Sequence, residues 1–174
     1  MRIVFLLFAF ALAVVASRGA NELIETTPCE IVKNPTVFSG KMVRIRGEVV
    51  TRFEIADIRA QCDSGIAMVA LWYPALVRDS NAPNFKLVRD KAFKEFEAAL
   101  SKNDTGICIE PCPPPAPEVH VFATLVGRLD GPDKLVAKDK NGKPVTLSTF
   151  GFTPSMKYTT RLVLKCVSDV RTTK

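Results

Sequence analysis

Met42-Val43-Arg44-Ile45-Arg46-Gly47-Glu48-Val49 puts Val43, Ile45, Gly47 and Val49 on one parity and Arg44, Arg46 and Glu48 on the other. A period of two is what a strand with one buried face requires, so the fold is built from strands here. Working downstream, a second strand is expected from Phe53 to Ile58. The turn-like run Gln61-Cys62-Asp63-Ser64-Gly65 separates it from Ile66–Tyr73, which is apolar at nearly every residue. Such a run suits a strand covered on both sides, at a barrel centre or beside an added element, and Pro74 ends it.

From Phe85 to Lys102 the period changes to that of a helix, with Phe85, Val88, Ala92, Phe96 and Ala99 or Leu100 on one stripe. Asn103-Asp104-Thr105-Gly106 closes it, and a single apolar stripe is what plugging a core needs. Five prolines between Pro111 and Pro117 then make a stiff spacer. Val119–Leu129 is the next strand and Gly131-Pro132 turns the chain. A small hairpin is expected from Lys134–Asp139 and Lys143–Leu147 around Asn141-Gly142, a pair suited to a type I′ turn. Tyr158–Val170 is the last strand.

Upstream of the opening strand, Thr27-Pro28-Cys29-Glu30 is a capping box with proline in the first turn. It predicts a short helix through Ile31 and Val32 that stops at Asn34-Pro35, because proline disfavours helical geometry in the residue before it. Ser39-Gly40-Lys41 is a turn. The fold class is therefore mainly β with helices. The order strand, strand, strand, helix, strand, strand, with a hairpin inserted near 134–147, is that of an OB-fold-like five-stranded barrel with its helix between strands three and four. An open α+β sheet or another small barrel shares the strand count.

The N-terminus has a different character. Arg2 precedes thirteen apolar residues, Ile3–Val15, and then the small residues Ala16, Ser17, Gly19 and Ala20. As a helix this run rises about 20 Å, short of the roughly 30 Å of a bilayer core, so residues 1–20 read as a secretory signal peptide. Cleavage after Ala16 or Ala20 is expected, leaving 21–174 as one OB-like domain in the second case. The expected product is exported, periplasmic or secreted, with no membrane span in the mature chain and no lipid on Cys29. Removing Arg2 and Arg18 lowers the formal charge of the 174-residue chain from +6 to +4. That balance favours solubility and is too mild for a nucleic-acid binder, so nucleic acid is not the expected partner.

All five cysteines, Cys29, Cys62, Cys108, Cys112 and Cys166, follow the signal, and export implies disulfides with one thiol left over. Two bridges among five cysteines allow fifteen arrangements. Cys108 and Cys112 sit in a tight proline-containing loop able to close on itself, whereas Cys29 and Cys62 flank the first strands. Cys166 lies in an apolar strand, where a buried free thiol acts as a small hydrophobe. A zinc site from Cys108, Cys112, His120 and another cysteine fits paired-ligand spacing poorly, so no metal or other cofactor is expected.

Asn34-Pro35-Thr36-Val37-Phe38-Ser39-Gly40-Lys41-Met42-Val43-Arg44-Ile45-Arg46-Gly47 resembles the opening of small exported bacterial OB-fold-like proteins. Thr124–Gly131 and Arg161–Val170 resemble the later strands of that group, so the likeness spans roughly residues 28–170. Its motifs specify turns and a core rather than chemistry. Where the group leads one to expect Gly-His ahead of the last strand, this chain has Gly151-Phe152, which removes a potential ligand or acid-base residue.

Chemistry-bearing patterns are few. His120, the single histidine, lies in an alternating strand without an accompanying nucleophile motif and reads as a hydrogen-bonded structural residue. No Gly-rich phosphate loop, nucleophile elbow or His-Glu-x-x-His occurs. Glu48, Glu54, Asp57 and Asp63 lie near the same strands and read as solvated or salt-bridged surface. Asn103-Asp104-Thr105 matches a glycosylation sequon, a coincidence in a bacterial chain.

An OB barrel binds on the face of its second and third strands, and this region offers Arg44, Arg46, Arg52, Phe53, Arg59, Trp72 and Tyr73. Cations interleaved with aromatics suit an anionic oligosaccharide or single-stranded nucleic acid. The plain structural reading puts Phe53 and Trp72 in the core and the arginines on a solvated face. The function expected is an exported, non-enzymatic binding or scaffolding module of the bacterial cell envelope, its partner an envelope protein or an anionic ligand. A binder of anionic polymers and an enzyme with a fold-assembled site are the alternatives.

Overall fold

A computed structural model of the chain describes residues 22–52, 55–77, 81–102, 119–134, 136–138, 141–146 and 158–173. The expected signal peptide, Phe53, the Cys108 and Cys112 loop, the 111–117 spacer, the Asn103 sequon and Gly151-Phe152 lie outside the described residues, as does the side chain of Arg52.

The opening strand, β2 (Met42–Arg52), follows one short strand, β1 (Ile24–Thr26). Its inner residues Val43, Ile45 and Val49 are completely or almost completely buried, as the alternation requires. Next come β3 (Ile55–Cys62) and β4 (Gly65–Trp72), an antiparallel pair turned at Asp63-Ser64, with Gly65 at φ 116°. The second strand thus runs four residues further than its hydrophobic pattern suggests, because β4 supplies ladder partners out to Cys62. Pro74 ends β4 in a short 3₁₀ turn. On β4, Ile66 and Met68 are exposed, so the apolar run is covered on both faces only in its second half.

Beyond the helical region come β5 (His120–Asp130), a two-stranded hairpin of β6 (Val136–Lys138) and β7 (Pro144–Thr146), and β8 (Arg161–Thr173). The hairpin forms around Asn141-Gly142 as expected, with Gly142 at φ 78°. The main sheet is mixed and has six strands, not the five expected. The additional one is β1, whose three residues Ile24-Glu25-Thr26 are too few to display a period.

The pairings divide β2 between three neighbours. β5 lines one edge from Met42 to Val49. The other edge is shared, with β3 along Glu48–Arg52 and β1, running parallel, along Val43–Ile45. Between these two stretches sits Gly47, where a Cβ would lie 2.8 Å from Ile58 Cγ2 and 3.0 Å from the Arg59 carbonyl oxygen. The remaining pairings are antiparallel between β5 and β8 and parallel between β4 (Ala70–Trp72) and β8 (Arg161–Val163).

Two further elements follow β1 directly, α1 (Pro28–Lys33) and the single turn α2 (Pro35–Phe38). The capping box forms: Glu30 N–H donates to Thr27 Oγ1 at 3.2 Å, and Glu30 Oε2 accepts from Thr27 N–H at 3.1 Å. The Thr26 hydroxyl also donates to that carboxylate, and these bonds hold the Glu30 carboxyl below its ordinary range. Proline at position 35 ends α1, then starts α2 as its own first-turn residue. Ile31 enters the core, and Cys29 is bridged to Cys62 at the end of β3.

The remaining helix, α3 (Lys91–Leu100), lies between β4 and β5 and buries Phe93, Phe96, Ala99 and Leu100 in the core formed with β2, β5 and β8. It starts at Asp90, whose carboxylate accepts from Phe93 N–H at 2.9 Å, rather than at Phe85. Residues 86–89 precede that cap, and Val88 N–H donates to the Lys165 carbonyl on β8 at 2.7 Å, which leaves the Val88 side chain exposed. No helix among the described residues is long and apolar enough to cross a membrane.

Two substitutions test this frame. β5 and β8 shift register between Val126 and Gly127, and a Cβ on Gly127 would collide with the Val163 carbonyl oxygen and lie 2.9 Å from its carbon. Gly127→Ala is expected to lower unfolding stability by about 1–3 kcal/mol in denaturant titration, since strand backbone cannot yield as a side chain can. The Cys29–Cys62 bridge closes a loop with a sequence separation of 33. Replacing both cysteines with serine should cost about 3–4 kcal/mol on the chain-entropy account, read the same way.

Candidate functional site

The outward parity of the sheet carries two distinct polar arrangements. The first is a row set by register: Asp57 on β3 faces Ala70 on β4, Ala70 faces Arg161 on β8, and Arg161 faces Asp130 on β5. All four are buried, Asp130 completely. Asp57 accepts a two-pronged bond from Arg59, through Nε and through Nη2 at 3.0 Å, and a third from the Tyr158 hydroxyl at 2.8 Å. Asp57 raises the Arg59 guanidinium above its ordinary value by hydrogen bonding. Asp130 accepts from Arg128 Nε at 2.8 Å, Arg128 Nη2 at 3.2 Å and Arg161 Nε at 2.9 Å. Arg128 also donates to the Asn81 carbonyl, Asn81 donates to the Lys134 carbonyl at 2.9 Å, and Arg161 stacks over Trp72 at 5.1 Å.

Asp57 is salt-bridged, one of the two readings given for it, but it lies in the interior rather than on the surface. The signal was present in the chain: Asp57-Ile58-Arg59 and Arg128-Leu129-Asp130 are mirror-image pairs two residues apart, a spacing that puts acid and base on one strand face. What hid it was the cover, since Tyr158, whose hydroxyl reaches Asp57, lies 101 residues further along the chain.

The second arrangement spans β2, β5 and β8. Register aligns Arg44 with Val126 and Cys166, Arg46 with Thr124 and Ser168, and Glu48 with Phe122 and Arg171. Arg44 pairs with Glu25 of β1. Glu48 Oε1 lies 2.6 Å from His120 Nδ1, so the histidine is a partnered surface residue. Arg46 and Arg171 are exposed, and among the described residues neither pairs with a carboxylate. Phe122 between them is 39% exposed.

Of the residues singled out from sequence, Arg44 and Arg46 share this face. Trp72 does not: it lies on β4, which borders β3 and β8 and not β2, half-buried under Arg161 rather than in the core. Tyr73 packs edge-on against Phe93 at 6.0 Å, and burial pushes its hydroxyl up. Arg59 is held by Asp57 rather than solvated. The Cys29–Cys62 bridge leaves Cys166 as a half-buried free thiol, and burial raises its thiol above the ordinary value. Arg171 is not legible in sequence because β8 carries one extra residue between Ser168 and Arg171 where β5 steps regularly from Thr124 to Phe122, and Phe122 is not because its β2 partner, Glu48, is distant in the chain. Among the described residues no three His, Cys, Asp or Glu side chains group as a metal site.

Comparison with protein-family models, with curated proteins and with solved structures finds no match for this chain.

The buried and open ion pairs should respond differently. Asp130→Asn removes the buried carboxylate shared by Arg128 and Arg161 and is expected to cost about 3–5 kcal/mol, whereas Glu48→Gln at the half-exposed histidine pair should cost under about 1 kcal/mol, both from chemical denaturation. The Cys166 thiol should alkylate slowly in the folded protein. A raised pKa means less thiolate at a given pH, so the rate should inflect above the ordinary thiol range, and unfolding should return it there.

Proposed function

We propose that the chain is an exported, non-enzymatic binding or scaffolding module of the bacterial cell envelope, built on an OB-type barrel. The observation that carries this reading is the circuit of pairings from β2 through β3, β4, β8 and β5 back to β2, with α3 between the third and fourth of those strands in chain order. That circuit matches the strand order of a five-stranded Greek-key barrel, with β1 and the β6–β7 hairpin as additions. The resemblance of residues 34–47 to small exported OB-fold-like proteins points the same way.

Export draws support from the Cys29–Cys62 bridge, which persists in oxidising compartments, and from the apolar run that opens the chain. A binding role is favoured over catalysis by where the acids are. Asp57 and Asp130 spend their acceptor capacity on arginines and Tyr158, which makes them architecture rather than proton-transfer groups. In a barrel of this type the face of β3 and β4 is the customary binding surface, and here its upper half is sealed by the ionic row. Binding is therefore assigned to open strand faces, above all the one carrying Arg46 and Phe122.

The mature, oxidised chain immobilised against a native envelope fraction is expected to retain a defined partner or polymer that the reduced, unfolded chain does not. A reproducible turnover abolished by Asp57→Asn or His120→Ala, in variants that keep the wild-type unfolding cooperativity, would contradict the reading.

A further inference from the structure

We infer that the outward face of β2, β5 and β8 is a binding site for a carboxylate-bearing polysaccharide, held by Arg46 and Arg171 with the chain lying across Phe122. This rests on the reading of the protein as a binding module and names its ligand class.

Three features of the face select that class. Arg46 and Arg171 are exposed guanidiniums without a carboxylate partner among the described residues, whereas the other described arginines of the outward parity, Arg44, Arg59, Arg128 and Arg161, are all paired. A guanidinium fork binds a carboxylate through two parallel hydrogen bonds. They sit on strands separated by β5 and one pleat row apart, so their Cα atoms span on the order of 12 Å, from a strand spacing of about 4.8 Å and a two-residue rise of about 7 Å. That span exceeds a single sugar ring, so the two forks take acids on different units of one polymer.

The second feature is Phe122, which register places directly beside Arg171 and one row from Arg46. An exposed ring on a sheet surface offers an apolar platform for the carbon-hydrogen face of a sugar, and the exposed Ser168 lies in the adjacent row.

The third feature excludes a phosphate backbone. Single-stranded nucleic acid calls for a continuous cationic track. Here Glu25 and Glu48 border the arginines, and Asp169, at φ 51° in the bulge of β8, lies between Ser168 and Arg171 in the chain. Acids at those places break the cations into two separate forks, which suit planar carboxylates met by paired hydrogen bonds rather than an unbroken line of phosphates.

The mature, oxidised protein is to be titrated with polygalacturonate, with dextran as the uncharged polymer and oligo-dT as the phosphate polymer, at low and moderate salt. The expected result is salt-weakened binding of polygalacturonate alone, reduced at least tenfold in Arg46→Ala/Arg171→Ala and several-fold in Phe122→Ser. Lys91→Ala, on the exposed side of α3, should bind as wild type, and Arg46→Lys/Arg171→Lys should recover only part of the loss. Unfolding midpoints of all variants identify any that fail through folding, and the lysine pair then serves as the deciding variant. No binding of polygalacturonate, binding indifferent to both arginines, or tighter binding of oligo-dT would each overturn the inference. The first of these, with a partner still retained from the envelope fraction, overturns the ligand class and leaves the binding-module reading standing.

Discussion

A strand has two edges, and β2 has three neighbours. One edge belongs to β5 from Met42 to Val49, so β3 and β1 divide the other, and the division falls at Gly47, which lets β3 come this close. From this follows much of the rest. When β3 leaves, it carries its far end and the turn to β4 away from β2 and leaves backbone at Val43–Ile45 without a partner. β1 covers that backbone, α1 places Ile31 in the core beneath it, and the Cys29–Cys62 bridge ties the departing strand to the inserted helix. Burying unpaired strand backbone costs on the order of a lost hydrogen bond per group, which is why so short a strand as β1 has a place.

The same departure shapes the outer surface. Over β3, β4 and the start of β8, Tyr158 is buried against Asp57 and two aspartates are held by three arginines. Such a network contributes little net stability over an apolar equivalent, but any one of its charges left alone would be expensive, so it specifies one arrangement of β3, β4, β5 and β8. Over β2, β5 and the second half of β8 nothing comparable is laid down among the described residues, and Arg46, Phe122 and Arg171 are exposed. One sheet thus presents a locked polar face and an accessible one.

The legible part of this structure is the part written in short-range periods. Val43, Ile45 and Val49 announce β2, Thr27 and Glu30 announce α1, and Asn141-Gly142 announces the hairpin, because each depends on residues a few positions apart. α3 was legible in its stripe but not in its start, since Phe85 and Val88 fit the helical period while the backbone there is drawn to Lys165. β1 was illegible because three residues have no period, and its partner lies across a helix and two turns. For the face carrying Arg46, half was visible, the alternation on β2. Phe122 joins it through the long-range β2–β5 register and Arg171 through one register shift in β8, neither of which a local pattern encodes.

Both outer faces require β2 bonded to β5 and β4 bonded to β8 at once within one molecule. Cross-strand amide and α-proton nuclear Overhauser contacts in the labelled, oxidised chain test this directly. The account predicts the antiparallel set between Ile45 and Leu125 together with the parallel set between Leu71 and Leu162, both protected from exchange. One set present with the other missing would contradict the order of pairings on which both outer faces depend.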